Sequence, residues 1–393
     1  MAGKFSVSVI GILVGIFFGF FIIRYAQFFL PKNNTTVNRI SSFLGLENHQ
    51  VIGFLPYWLI SKATRDYTKD ITTLTYFGLT ISPDGTIKKL SQPGEEDPGW
   101  RTLHAGLVNP FFQTAKKNNI QLSLLIFSGN EDTIGQLVAD PVTHADNLIN
   151  EVFPIMKQYG FSDLNLDIES VKIASDSARE NFTTFVKEVK KKLDQQNLGT
   201  LTVDASPIVL IKNYLINLWD ISQQADSIVL MTYDFHYPGS FVTGPVAPIG
   251  GGGVDSEYDT KISILEALNV IPADKILLGL PLYGYEWETI GNSPRSAVLP
   301  ASGIVASNAR VEDLLKNCAS CSAQIDPSAQ ESYLVYKDTE TGTYHQIFYP
   351  DVTETSKKIE LVNQYNLGGV ALWALGYEGD TILNPVAAYR SFN

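Results

Sequence analysis

Short apolar runs recur along this chain at residues 51–57, 73–81, 121–127, 164–168, 201–205, 227–233, 275–282 and 369–374, separated by longer stretches with helical spacing. Several of the runs are apolar at consecutive rather than alternate positions, as in strands covered on both faces. Segments 177–193 and 260–270 read as helices. Such alternation favours a parallel α/β fold. Periodicity alone suits a doubly wound sheet almost as well as a closed barrel, and the strand count tips the expectation to a (β/α)8 TIM barrel. Between the seventh and eighth strands, residues 288–343 are far longer than an ordinary βα connection. They contain a helix-like piece (309–316) and a strand-like piece (332–336), and predict an α+β insertion beside the C-terminal mouth, where barrel active sites lie.

The N-terminus sets a second constraint. After a short flank (1–4), residues 5–23 carry no charge, and as a helix they would cross a ~30 Å hydrocarbon layer. A secretory signal is the competing reading, but no small-x-small cleavage pattern follows, so a single-pass transmembrane anchor is expected. Residues 24–48 read as a polar tether and 49–393 as the barrel domain. By local charge, Arg24, Lys32 and Arg39 after the span would outweigh Lys4 before it and keep the domain cytoplasmic. Long folded domains are less sensitive to that rule, and an extracellular domain is expected.

A net charge of -12 repels nucleic-acid phosphates, whereas a neutral polymer remains compatible as partner. The five histidines form no H-E-x-x-H, the two cysteines form one C-x-x-C (Cys318, Cys321), and there is no G-x-S-x-G. No metal or cofactor is therefore expected. A local disulfide between the cysteines is placed slightly ahead of two free thiols.

In Phe161-Ser-Asp-Leu-Asn-Leu-Asp-Ile-Glu169 polar and apolar residues alternate. Asn165, Asp167 and Glu169 thus share one strand face, and Leu164, Leu166 and Ile168 take the other. Paired carboxylates suggest glycoside hydrolysis, in which an acid protonates the leaving oxygen while a second group meets the oxocarbenium-like centre from the opposite side. Residues i and i+2 on one strand lie roughly 6.5 to 7 Å apart and point the same way, so Asp167 is badly placed to attack opposite Glu169. A substrate 2-acetamido oxygen can serve as nucleophile instead, which requires an N-acetylated sugar.

The segment resembles the D-x-x-D-x-D-x-E strand of family 18 glycoside hydrolases, the chitinase-like barrel enzymes, with Ser162 and Asn165 at the first two acidic positions. The resemblance implies Glu169 as proton donor, Asp167 as acetamido partner and Asn165 as its hydrogen-bonding neighbour. Asn165 cannot share a proton with Asp167 as an aspartate would. Val51-Ile-Gly-Phe-Leu-Pro-Tyr-Trp58 is similar to the family's first strand, bringing Phe54 and Tyr57 to the substrate, and Leu125-Ile-Phe-Ser-Gly129 to its third. Met231-Thr-Tyr-Asp-Phe-His236 is similar to its sixth, which implies that Tyr233 donates to the acetamido carbonyl while Met231 and Asp234 contact the sugar. Gly368-Gly-Val-Ala-Leu-Trp373 resembles its closing strand, with Trp373 as the floor. Asn165 and Gly244-Pro-Val-Ala-Pro-Ile249 resemble the peptidoglycan-directed, spore-cortex-lytic N-acetylglucosaminidase branch. The implied activity is retaining cleavage of β-linked N-acetylglucosamine in peptidoglycan or chitin-like glycans. A noncatalytic glycan-binding barrel or a wall-associated scaffold are the alternatives.

Overall fold

The computed structural model describes residues 49–253, 256–318 and 321–391. The expected flank, anchor and tether (1–48) lie outside them, and among the described residues no helix is long and apolar enough to cross a membrane.

Eight parallel strands close on themselves: β1 (Gln50–Pro56), β2 (Thr73–Thr80), β3 (Gln121–Ser128), β4 (Asp163–Ile168), β5 (Thr200–Ala205), β6 (Ser227–Leu230), β7 (Ile276–Pro281) and β8 (Gly369–Trp373). Each pairs with its neighbours in chain order, and β8 closes on β1 with Val51 opposite Val370. This closure excludes the doubly wound sheet. The consecutive apolar residues follow from it. Val51 and Leu55, Leu74 and Tyr76, Leu164 and Leu166 and their equivalents face the surrounding helices, whereas Ile52, Phe54, Phe77, Leu125, Val229, Leu277 and Ala371 fill the barrel interior.

Helices start where the sequence supplies a cap. Asp140 accepts from Thr143 N ahead of the helix Pro141–Tyr159, whose second end stops at left-handed Gly160. Ser175 caps Asp176–Gln195 and Asp259 caps Thr260–Leu268 in the same way.

Two boundaries differ from expectation. The sixth strand ends at Leu230 rather than 233, because Thr232 donates its hydroxyl to Gly279 O at 2.8 Å and Asp234 adopts φ 61, turning the chain out of the ladder. The insertion is wider than 288–343. It begins directly after β7 with the strand Tyr283–Thr289 and runs to Tyr344–Tyr349, as a five-stranded antiparallel sheet with the helix Asn308–Asn317 beside it. Cys318 and Cys321 are joined by a disulfide of 2.10 Å.

A buried ionic group ties this insertion to the barrel. Glu331 accepts from Val246 N and Ala247 N at 2.7 and 2.6 Å. Lys358, from the helix Val352–Gln364, donates to Ala247 O and pairs with Glu354, both at 2.5 Å. Burial pushes Glu331 up to about 7, against the opposing pull of Lys358 and the two amides. Replacing Lys358 with methionine should therefore leave two buried acids without their cation and cost about 3–5 kcal/mol at neutral pH. The loss should shrink toward pH 5: Glu331's folded pKa lies above its unfolded value, so the folded state takes up the missing positive charge as protons when pH falls through about 7. Urea unfolding of both proteins at the two pH values measures this.

Candidate active site

The interior of β4 is where the apolar filling stops. Asp163, Asn165 and Asp167 point inward and are buried, while Leu164, Leu166 and Ile168 pack outward. Asp163, at the bottom of this file, accepts from Ser123 Oγ (2.6 Å), Thr200 Oγ1 (2.6 Å) and Thr202 Oγ1 (3.1 Å). Burial raises it to about 6 against those three donors. Asn165, expected to hydrogen-bond Asp167, instead donates through Nδ2 to Asp204 Oδ1 of β5 at 3.0 Å. Asn165 Oδ1 and Asp167 Oδ1 are buried without a hydrogen-bond partner from the protein.

Glu169 lies just past the end of β4, its amide held by Ser128 O at 2.8 Å. Its side chain is reachable by solvent yet crowded by protein around the concave mouth. Desolvation, followed by the Asp234 charge, raises its pKa. That is the direction a carboxylic acid needs to keep a transferable proton near neutrality. The segment after it is anchored by Glu131, which accepts from Ser170 Oγ (2.9 Å) and Val171 N (2.8 Å). Asp167 is pushed well above the ordinary range, first by burial and then by Glu169 and Asp204.

Across the mouth, Tyr233 follows β6. Its ring lies against β7 at Gly279, where a Cβ would come within 2.8 Å of both Tyr233 Cε1 and Leu230 O. Burial and then the Asp204, Asp167, Asp234 and Glu169 charges keep its hydroxyl protonated and available as a donor. Asp234, next along the chain in its left-handed conformation, accepts from two insertion tyrosines on Oδ1, Tyr283 at 2.5 Å and Tyr285 at 2.8 Å.

Trp373 ends β8 half-buried, with ring centroids 5.1 Å from Phe77, 5.7 Å from Phe54 and 6.4 Å from Trp58. Of the residues expected to touch sugar, two do other things. Phe54 is 1% exposed and supports Trp373 from beneath. Tyr57 packs against the core outside the barrel, because the chain leaves β1 into a 3-10 turn that swings the next residue, Trp58, into the mouth. Trp58 is 44% exposed and edge-on to Phe77 at 5.4 Å. Met231 lines the barrel interior, half-buried.

Residues 50–378 match the model of glycosyl hydrolases family 18. The chain belongs to this family. Family 18 membership makes it a glycoside hydrolase. The chain is 29% identical over 330 residues to a cortical fragment-lytic enzyme of Bacillus subtilis, covering 81% of this chain and 67% of that one. It is 25% identical over 318 residues to a putative sporulation-specific glycosylase of the same organism, covering 79% and 67%. Its fold is similar to those of an Ostrinia furnacalis Group IV chitinase (TM-score 0.74, 22% identity, 87% of this chain and 100% of that one) and of the Bacillus cereus spore cortex-lytic enzyme SleL (TM-score 0.67, 22% identity, 87% and 74%).

Asp163, Asp204 and Trp58 escaped the sequence reading. The first two were within its reach, since Thr200, Thr202 and Asp204 alternate with Leu201, Val203 and Ala205 as the residues of β4 do. The close packing at Gly279 makes a further prediction for this glycosidase. Gly279→Ala should displace Tyr233 and lower kcat/KM by about 10-fold or more, since sub-ångström to 1 Å misplacement of a positioning group costs up to ~100-fold. Steady-state kinetics with a thermal-unfolding control tests this; an unchanged kcat/KM in a folded variant would show that Tyr233 has room to spare.

Proposed function

We propose that this glycosidase cleaves β-linked N-acetylglucosamine in peptidoglycan or chitin-like glycans, with retention, using the substrate's own acetamido oxygen as nucleophile. The supporting observation is the placement of Glu169, Asp167 and Tyr233 around one opening over Trp373. Asp167 and Glu169 leave β4 on the same side, so neither reaches the far face of a sugar that the other protonates. Asp234 is the remaining acid at the opening, and its Oδ1 is engaged by Tyr283 and Tyr285, which fits a sugar-holding wall better than a nucleophile.

In this reading the sugar stacks on the half-buried face of Trp373, which provides apolar contact for its C–H face. Tyr233 donates to the acetamido carbonyl and aligns its oxygen beneath the anomeric carbon. Asp167 accepts from the acetamido N–H and stabilises the positive charge that grows as the oxazolinium ring closes. Glu169 gives its proton to the leaving oxygen, then takes one from the water that opens the ring. The names of the Bacillus relatives and the Asn at position 165 favour peptidoglycan over chitin. We further propose that residues 5–23 anchor the enzyme in a membrane as a single-pass span with the barrel outside the cell, a reading supported by the uncharged run itself.

Glu169→Gln keeps shape and removes the transferable proton, so it should lower kcat by at least ~100-fold and leave glycan binding nearly intact. Product analysis of both proteins on purified peptidoglycan and on chitooligosaccharides identifies the substrate in the same experiment. The nucleophile is tested separately. The first-formed anomer, read by NMR, should have the β configuration, and a substrate whose 2-acetamido group has been hydrolysed to a free amine should not turn over. Initial inversion, or equal rates on the two substrates, would refute substrate assistance.

A further inference from the structure

The mechanism above leaves Asp204 unused, although it is a buried carboxylate beside the reacting acids. β4 and β5 run parallel with Asn165 opposite Thr202 and Leu166 opposite Val203. One step further along, Asp167 and Asp204 fall in the same inward layer on strands about 4.8 Å apart. Asn165 sits one layer below Asp167 and reaches sideways to Asp204. A carboxamide donates only through nitrogen, so this bond turns Asn165 Oδ1 away from Asp204. That oxygen and Asp167 Oδ1 are the two buried acceptors of the file that the protein leaves unpaired.

We infer that Asp204 is a positioning residue of the reaction, which fixes the Asn165 amide and holds the one proton that Asp167 must release before it can accept the acetamido N–H. This rests on the substrate-assisted reading. The argument is electrostatic. The charges acting on Asp167 are those of Glu169 and Asp204; those acting on Asp204 are of Glu169 and Asp163; the one acting on Glu169 is of Asp234. Asp163 and Asp167 come from β4, Glu169 from just past its end, Asp204 from β5, and Tyr233 and Asp234 from the segment after β6. Every one of these groups is an acid. With no opposing cation among them, full ionisation would place like charges side by side in a desolvated layer, so the layer keeps a proton. Glu169 cannot be its only holder during the reaction, because Glu169 passes its own proton to the leaving oxygen. Asp163 already has three hydroxyl donors that favour its ionised form. Asp204 has a single donor and lies beside Asp167. The pair thus carries one proton and one negative charge throughout: the proton rests on Asp167 in the free enzyme and on Asp204 when Asp167 faces the substrate. Glu169 cycles separately, losing a proton to the leaving group and regaining one from water.

The test uses the full chain, 4-nitrophenyl N,N′-diacetylchitobioside as probe, and two variants: Asp204→Asn, and Asn165→Asp combined with Asp204→Asn, which returns the carboxylate to β4. Asp204→Asn is isosteric and still accepts from Asn165. It should lower kcat about 10-fold or more with KM little changed. It should also move the acidic limb of the kcat profile up, because Asp167, still desolvated, must then lose its proton to solvent instead of passing it to Asp204. The double variant should recover the wild-type limb and most of the rate. Stability gives a readout independent of turnover. Asp204's folded pKa lies above its unfolded value, so its contribution is full below about pH 4 and is lost as pH rises. The melting temperature of wild type should therefore fall relative to Asp204→Asn between pH 4 and pH 8. Parallel melting curves, an unmoved acidic limb, or a double variant no better than Asp204→Asn would overturn the role of Asp204. Failure of the wild type to cleave the probe would count against the proposed chitin-like substrate alone, and the melting comparison would still decide about Asp204.

Discussion

The cost of desolvating carboxylates organises this molecule. A parallel barrel excludes water from its centre, and seven of its strands meet that condition mostly with apolar or hydroxyl side chains. β4 instead inserts Asp163, Asn165 and Asp167. Their burial is tolerable because Asp163 and the Asn165 amide nitrogen are bonded to neighbouring strands and Asp167 is able to carry a proton. The same burial makes them useful, since an acid that resists ionisation in the resting enzyme can hold a proton near neutral pH. Stability and chemistry here draw on one source. Ser123, Thr200 and Thr202 are as much a part of the site as Glu169, because without them the lower end of the file would be a bare buried charge.

Two further contacts transmit this order to the mouth. Trp373 belongs to the apolar cluster inside the barrel and also to the aromatic cluster of the insertion, with Tyr283, Tyr285 and Trp287. The insertion sheet is therefore seated against Trp373 at the end of β8 rather than hung from a loose loop. Beneath the segment 246–247, Glu331 and Lys358 hold the connection after β6 from the insertion and barrel sides. Tyr233 and Asp234 lie earlier in that same connection, so their positions depend on residues about a hundred positions distant in sequence.

Much of this was legible before any coordinates. Strand spacing, the switch from period 3.6 to consecutive apolar residues, and the alternation in 161–169 are local properties, and local properties survive in sequence. The limits follow the same logic. Tyr57 and Trp58 are adjacent aromatics after β1, and which one enters the mouth depends on a 3-10 turn of a few residues that no periodicity encodes. Phe54 shares strand parity with inward residues, yet its depth is set by Trp373 arriving from the far end of the chain. The early end of β6 depends on Thr232 meeting Gly279, a contact across strands. The start of the insertion at Tyr283 was hidden because β7 passes almost without a break into the insertion's first strand.

The Asn at position 165 illustrates how a substitution within a motif should be weighed against its surroundings. Taken along β4 alone, replacing an acid with an amide removes one of two carboxylates and with it the means to vary the charge beside Asp167. Across the barrel, the adjacent strand supplies Asp204 in the same layer and joins it to Asn165 by a hydrogen bond of 3.0 Å. An acid beside Asp167 thus comes from β5, while β4 carries an amide one layer below. The proposed mechanism asks for a second proton-holding group within reach of Asp167, and a closed barrel can present that group from either neighbouring strand. A motif read along one strand records only half of such an arrangement, because its partner is set by register rather than by spacing.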